Sequence, residues 1–456
     1  MSVDTVSLTG WGRTAPTTAV RFRPRTYEEA AAVVRGRGPR GALARGLGRA
    51  PGDAAQNAGG SVLDMTGLDR IRALDEVAGT VRCDAGVSLE RLLRVLPPRG
   101  WFPPVVPGTG RITVGGAIGS DVHGLDHPAA GSLARHVVAL ELLTADGEVR
   151  TVTPGTALFD ATAGGLGLTG VILSATLRLK RVATGLIGVS TERARDLDDL
   201  LARFTAGGDR LPYASAWVDL SARGRAAGRG VLTRGEHAPL SVLPAHARRT
   251  AARRQREPWA AALSALPGGL LGPAAAALVD EVRYRSAPRA RSGELRTPAA
   301  FFHPLDATPA TDRLRRLSAL ATGRAGLVRY RFTVGYGQEE ALGRVVRRIA
   351  ARRCPALRAE LQRFGAASPG WLSFPAPGWA LTVELPAALP GLGRFLDGLD
   401  AEVAAAGGRV CLAQDSRMRP ETAAAMYPRL PEFRELRAEL DPTGAFRSDL
   451  ARRLDL

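Results

Sequence analysis

Apolar residues recur at helical spacing twice within the first hundred positions. Thr26 and Glu29 form a capping box ahead of Ala30, Ala31, Val33 and Val34, and Gly36 ends the run, which predicts a helix from Thr26 to Arg35. Ser88 caps a second helix that carries Leu89, Leu92, Leu93 and Leu96 along one stripe. Between them, Gly41 to Arg49 reads as a short apolar segment running into a glycine loop, and Ser61–Met65 and Thr80–Asp84 read as strands. Val137–Thr144 and Glu148–Val152 flank Ala145-Asp146-Gly147, and an Asp-Gly pair between apolar runs is a strong hairpin signal. A glycine-rich run from Gly164 to Gly170 leads into the strand Val171–Leu179. This part of the chain is α+β, with antiparallel pairing, and ends soon after Lys180.

Beyond it the texture changes. Strand-like segments at Ala214–Leu220, Val328–Val334 and Ala380–Leu385 alternate with arginine-rich helices and Pro/Gly connections. Leu266–Ala275 has the composition of a mobile loop or lid. The last part holds a strand at Arg409–Ala413 and a helix near Pro431–Leu440. No internal repeat is evident.

With 456 residues the chain exceeds the size at which one core keeps growing, so two domains, or one with a large insertion, are expected. No apolar run approaches the roughly 18 residues of a membrane span. Met1–Ser7 lacks the basic and apolar segments of a secretory signal, which makes the cytoplasm the expected location. Cys83, Cys354 and Cys411 stand far apart, so neither a disulfide framework nor a metal site is expected. The formal charge of +18 rests on arginine, since Lys180 is the sole lysine among 62 Lys and Arg residues. Such a charge permits nucleic acid, an anionic membrane surface or phosphorylated substrates, and selects none of them. The densest basic cluster, Arg248, Arg249, Arg253, Arg254 and Arg256, has no interleaved aromatics and reads as a solvated helix face, which argues against nucleic acid.

Two glycine loops carry the candidate chemistry. In the first, Ala44-Arg45-Gly46-Leu47-Gly48-Arg49-Ala50-Pro51-Gly52-Asp53, the glycines let backbone N–H groups converge on one point, as a phosphate requires; a plain connecting loop is the alternative. It continues into Pro51 and Gly52 rather than into an apolar-periodic helix, which disfavours a Rossmann site. The second runs from Pro107 through Gly108, Thr109, Gly110, Arg111, Ile112, Thr113, Val114, Gly115, Gly116 and Ala117 to Ile118. Thr109 and Thr113 offer hydroxyls, and Gly115 and Gly116 allow close approach of a flat or anionic group. His123-Gly124 follows, and a histidine there can tune charge or contact substrate, unless it is merely bonded in a turn.

Taken in order, TGWGR (from Thr9), ARGLGR..GD.AQN (from Ala44), PGT...TVGGAI..D.HG (from Pro107), LLTADGE (from Leu142) and GG.GLTG (from Gly164) resemble the vanillyl-alcohol-oxidase-type, or PCMH-type, FAD-binding fold. More narrowly, the chain is similar to the actinobacterial decaprenylphosphoryl-β-D-ribose 2-oxidase family. The likeness persists through FFHPLD (from Phe301), LSFP.PGW (from Leu372), DSR (from Asp415), AMYPR (from Ala425) and SDLARRL (from Ser448). The resemblance implies an α+β architecture: a two-subdomain FAD-binding domain at 1–183, an inserted substrate domain on an antiparallel sheet at 184–408, and a segment at 409–456 that returns to the first domain. It implies noncovalent FAD, because this chain lacks the first-loop histidine of covalent relatives. It also implies oxidation of a sugar hydroxyl to a ketone by hydride transfer to the flavin, in the cell-wall arabinan chemistry of that family. A small-molecule or lipid-linked sugar substrate, a partner reductase and peripheral contact with an anionic membrane belong to the same expectation.

By the same resemblance, Ala44 to Arg49, Gly52 and Asp53 of the first loop, Pro107, Gly108, Thr109, Thr113, Val114, Gly115 and Gly116 of the second, and Ser120, Asp121, His123, Gly124, Ile172 and Cys411 contact FAD, while His123, Tyr330, Gln362, Thr382 and Gln414 line the reacting centre, with Phe364 beside them. Tyr330 has a core tyrosine as its equal alternative. The departures are pointed. Gln362 and Gln414 stand where the family carries pocket lysines, Thr382 and Ala380 replace a cysteine and an asparagine, Cys411 replaces a tyrosine, and Ala50-Pro51 replaces Ser-Tyr. A neutral amide cannot stabilise a developing alkoxide as an ammonium does, so a different alcohol or lactone substrate, or a basic binding protein with weak catalysis, are the competing readings. Arg363 and Arg417 are the candidate replacement cations.

Overall fold

The computed structural model describes residues 1–206, 212–242, 273–303 and 326–456. Most of the lid expectation and the whole arginine cluster at 248–256 lie outside them. Within the lid stretch, Pro273 already opens the helix Pro273–Ser286.

Thr26 caps the first helix, Tyr27–Arg35, by accepting from the Glu29 amide at 3.2 Å, while the Glu29 carboxylate accepts from the Arg25 amide at 2.7 Å. Ala30, Ala31, Val33 and Val34 are its buried stripe. It covers a four-stranded sheet in which Ser2–Leu8 pairs antiparallel with Thr17–Arg23, followed by Ser61–Asp64 and Ala42–Arg45 in parallel. The far end of the chain returns to this sheet. The Ala42 amide donates to Ala445 at 2.7 Å, Arg447 donates back to the Ala42 carbonyl, and Phe446 is fully buried against it.

A second, five-stranded sheet is antiparallel throughout, in the order Ile71–Asp75, Thr80–Asp84, Val171–Arg178, Val137–Leu143 and Val149–Val152. The last two strands are the expected Asp-Gly hairpin. Ser88 caps the helix Leu89–Val95, whose Leu89 and Leu92 join this sheet's core.

The third sheet has eight antiparallel strands, ordered Ala290–Arg296, Ile187–Ala194, Gly230–His237, Tyr213–Val218, Arg358–Phe364, Gly378–Pro386, Leu327–Val334 and Arg409–Val410. Because side chains alternate along a strand, its faces separate cleanly. One face gives Tyr330, Phe332, Leu361, Leu381 and Val383 to the largest core, where the helices Leu197–Ala206, Glu339–Ala351 and Leu392–Ala405 cover it. The intervening residues face the glycine loops. The last strand is shorter than the sequence suggests: at Cys411 the chain leaves the sheet for a 3₁₀ turn, Leu412–Gln414. Among the described residues no helix is long and apolar enough to cross a membrane, and all three cysteines are buried and free.

Candidate active site

The two glycine loops meet. Arg45, at the end of Ala42–Arg45, donates to the carbonyls of Thr9 and Ala55, each at 2.7 Å, and so ties both ends of the first loop. Gly48 then turns with φ +64°, where a side chain would be strained. In the second loop, Thr113 Oγ1 caps the short helix Val114–Gly119 by accepting from the Gly116 amide at 3.2 Å. A Cβ at Gly46 would overlap the Thr113 side chain, and Arg49 donates to Thr109 Oγ1 at 3.4 Å. Leu47 is exposed, and Ala44, Gly46, Gly48, Arg49, Pro107, Thr109, Gly116 and Ser120 are half-buried, so the meeting loops present mostly backbone. Among the described residues the amides of Leu47 and Gly48 donate to no protein acceptor. Such a ledge of uncovered amides suits a pyrophosphate.

Several residues expected at the flavin have protein packed against their side chains or Cβ positions. Val114 and Ile172 pack in the core of the five-stranded sheet. A Cβ on Gly115 would come within 2.8 Å of the Ala85 Cβ, and one on Gly124 within 2.7 Å of the Asp126 carboxylate. Gly52 lies against the Asp415 carbonyl, with no room for a Cβ. Asp53 is ion-paired with Arg453. Asp121, fully buried with φ +40°, accepts from Ser373 Oγ at 2.6 Å and from the Ala134 amide at 3.0 Å, and burial raises its pKa. Asp121 therefore joins the second loop to the LSFP segment.

Facing the loops, three strands place their alternate residues in rows: Arg329, Glu384 and Arg358; then Arg331, Thr382 and Glu360; then Thr333, Ala380 and Gln362. Phe364 follows, and with Phe374, Ala380 and Cys411 forms a small buried cluster. His123 packs on it, its ring 4.7 Å from that of Phe364 and 5.9 Å from that of Phe374. Both His123 ring nitrogens are buried and have no partner among the described residues. Burial first, then the positive charge of Arg331, holds its pKa well below the ordinary value, so the ring is neutral. His127 also packs on Phe364 at 4.6 Å, with its ring 6.0 Å from that of His123, accepts from the Gly365 amide through Nδ1 at 3.0 Å, and is pushed down to about 4, mainly by burial. Burial raises the Cys411 thiol to about 11, which leaves it protonated.

The structure thus brings His123, Gln362, Thr382 and Cys411 onto one wall, with Gln414 three residues beyond Cys411 and its buried Oε1 unpartnered among the described residues. Tyr330 is not with them. It belongs to the helix-covered core, where its ring lies 5.5 Å from that of Phe332 and under the Arg417 guanidinium, so the core alternative holds. Neither proposed replacement cation faces the wall. Arg417 is bound to Asp397 and Asp400, each at 2.7 Å, and Arg363 alternates to the opposite side of its strand from Gln362. The cation on the wall is Arg331, which the sequence reading passed over although it stands in an Arg-x-Arg-x-Thr alternation.

The glycine loops meet beside an aromatic cluster that carries a neutral histidine without a partner among the described residues. A model of the FAD binding domain matches residues 18–153. Over 81% of this chain and the whole of the relative, the sequence is 53% identical to the uncharacterized protein in mprA 5′ region of Streptomyces coelicolor. It is 38% identical to decaprenylphosphoryl-β-D-ribose oxidase of Mycolicibacterium smegmatis over 99% of this chain and 98% of the relative. Over 38% of this chain and 42% of the relative it is 33% identical to alditol oxidase of a Streptomyces species. The protein is an FAD-dependent oxidoreductase. It belongs to the decaprenylphosphoryl-β-D-ribose oxidase family of PCMH-type flavoenzymes.

Proposed function

We propose that this oxidoreductase converts a sugar or polyol hydroxyl to a ketone, on a substrate other than the one the family's lysine-bearing site holds. The observation that carries this reading is His123: a buried, neutral ring with two unsatisfied nitrogens beside the meeting glycine loops. A buried polar group without a partner is costly, and a substrate hydroxyl is a partner of the right kind.

FAD, when bound, supplies the two-electron acceptor. The chain's own residues do the rest. The ledge at 46–49 and 108–116 holds the dinucleotide without a covalent bond, since no histidine stands in the first loop. Phe364 and Phe374 exclude water, and His123 accepts the hydroxyl proton as the carbon–hydrogen bond breaks. Residues 1–183 with 409–456 form the flavin-binding part, and 184–408 the part that covers it.

Gln362 and Gln414 favour a different substrate from the family's own, because they remove two positive charges from the wall. The similarity to an alditol oxidase makes polyols a reasonable class to include, together with lactones. The test is anaerobic reduction of the protein-bound flavin by a panel of neutral polyols, sugar acids, sugar phosphates and lactones. Bleaching by a polyol, sugar acid or sugar phosphate supports the reading, and an unreduced flavin across those classes defeats it.

A further inference from the structure

On the strand face beside His123, Arg329, Arg331 and Arg358 meet the carboxylates of Glu360 and Glu384. Arg329 binds Glu384 through Nε at 2.9 Å and Nη2 at 2.5 Å. Arg358 binds Glu360 through Nε at 3.1 Å, and the other Glu360 oxygen accepts from Gln362 Nε2, also at 3.1 Å. Both carboxylates are thereby used. Among the described residues Arg331 is left with one protein acceptor, the neutral Oε1 of Gln362, which it reaches through Nη2 at 2.6 Å. Its Nε is buried without a partner, and among the described residues no carboxylate stands within ion-pair distance of it.

A buried guanidinium whose only acceptor is an amide carbonyl is poorly compensated, and the missing counter-charge has to come from elsewhere. Its surroundings are built to hold it still. Phe364 and Phe374 flank it with ring centres 5.8 and 5.5 Å from Cζ, and Gln362, pinned by Glu360, fixes one of its nitrogens. The remaining N–H groups form a planar donor set of the kind that grips a carboxylate or phosphate.

We propose that Arg331 is the oxyanion-binding residue of the substrate pocket, replacing from two strands away the charge that the family's lysine carries at position 362, and that the substrate bears a carboxylate or phosphate near the hydroxyl that is oxidised. Gln362 is the positioning residue for it. The inference rests on the proposed reading of this pocket as the substrate site. It also links binding to chemistry: an anion on Arg331 offsets the positive charge that disfavours protonated His123, so an anionic substrate improves its own proton acceptor.

The experiment uses the FAD-loaded protein, acetate and inorganic phosphate as probes, and propionamide as the neutral match for acetate, with perturbation of the flavin absorption as readout. Acetate or phosphate should give a saturable change that propionamide does not give. Arg331→Gln should weaken that binding by about tenfold or more, Arg331→Lys by less, and Gln362→Lys should tighten it. Tighter acetate points to a sugar acid, and tighter phosphate to a sugar phosphate. Absence of a saturable change, or equal affinity in the wild type and Arg331→Gln, which would mean an adventitious ion only, overturns the proposal. Should Arg331→Gln lose FAD, the Arg331→Lys and Gln362→Lys titrations decide it by the same directions. Anion binding without reduction by any sugar or polyol would defeat the activity reading alone, and reduction by neutral polyols with no anion effect would defeat this inference alone.

Discussion

Arg453, in the C-terminal helix Asp449–Leu454, holds both carboxylate oxygens of Asp53 at 2.9 Å across 400 positions of sequence. The same guanidinium donates to Asp415 at 2.9 Å and to the Met418 carbonyl at 2.7 Å. One side chain thus fastens the first glycine loop to the turn that carries Gln414. Arg453→Gln should leave two carboxylates facing each other, cost about 2 kcal/mol of stability and weaken FAD retention. Thermal melting and FAD dissociation measured on the same preparation check this, and an unchanged FAD affinity would show that the first loop holds its shape unaided.

Gly115 and Gly116 should separate in their effects. Gly115→Val drives a side chain into Ala85, an overpacking that costs about 1–3 kcal/mol and lowers the melting temperature of the apoprotein. Gly116 is half-buried, and a Cβ there meets only Thr113 Oγ1 at 3.0 Å and Ile112 at 3.8 Å. Gly116→Val should therefore melt closer to wild type yet lose FAD. Full flavin occupancy in that variant would remove Gly116 from the cradle.

His127 gives a pH dependence whose sign is fixed. Its folded pKa, about 4, lies below the ordinary 6.5, so the unfolded chain takes up the proton first as pH falls. The stability tied to its neutral form is complete above about pH 6.5 and is lost as pH drops toward 4. His127→Asn keeps an acceptor for the Gly365 amide without a titrating ring. Between about pH 7.5 and pH 5 the wild type should lose about 2 kcal/mol relative to this variant in denaturant titrations. Parallel losses in the two proteins would show that His127 titrates normally.

Gln414→Lys replaces a buried amide whose Oε1 has no partner among the described residues with an ammonium. If the ancestral chemistry is latent, the variant should reduce its flavin faster with decaprenylphosphoryl-β-D-ribose than the wild type does, by about tenfold for one ammonium placed on a developing alkoxide. Stopped-flow reduction across a range of pH tests it, and an unchanged rate assigns Gln414 no part in the reaction.

The flavin half was legible because its signals are local. A capping box at Thr26, a serine cap at Ser88, an Asp-Gly hairpin and two dense glycine loops each announce a backbone conformation within a few residues. The pocket wall was not, because it is assembled by strand register. Arg331 meets Gln362 only through the intervening strand Gly378–Pro386, and nothing in the spacing of 331 and 362 records that pairing. The strand Arg358–Phe364, with arginine, glutamate and glutamine at alternate places, hides its period behind polar side chains that bond one another and Arg331 across the sheet face. Tyr330 shows the cost: one step along the strand from Arg331, it is turned to the other face.

That one-residue step has a wider consequence. Since the strands Leu327–Val334, Arg358–Phe364 and Gly378–Pro386 alternate side chains between the helix-covered core and the pocket, charge can be added, removed or moved between them on the pocket side while the wedge of Tyr330, Phe332, Leu381 and Val383 stays as it is. The fold's stability and its choice of substrate are written in separate, interleaved alphabets, and a chain of this architecture can acquire a new preference without refolding to do so.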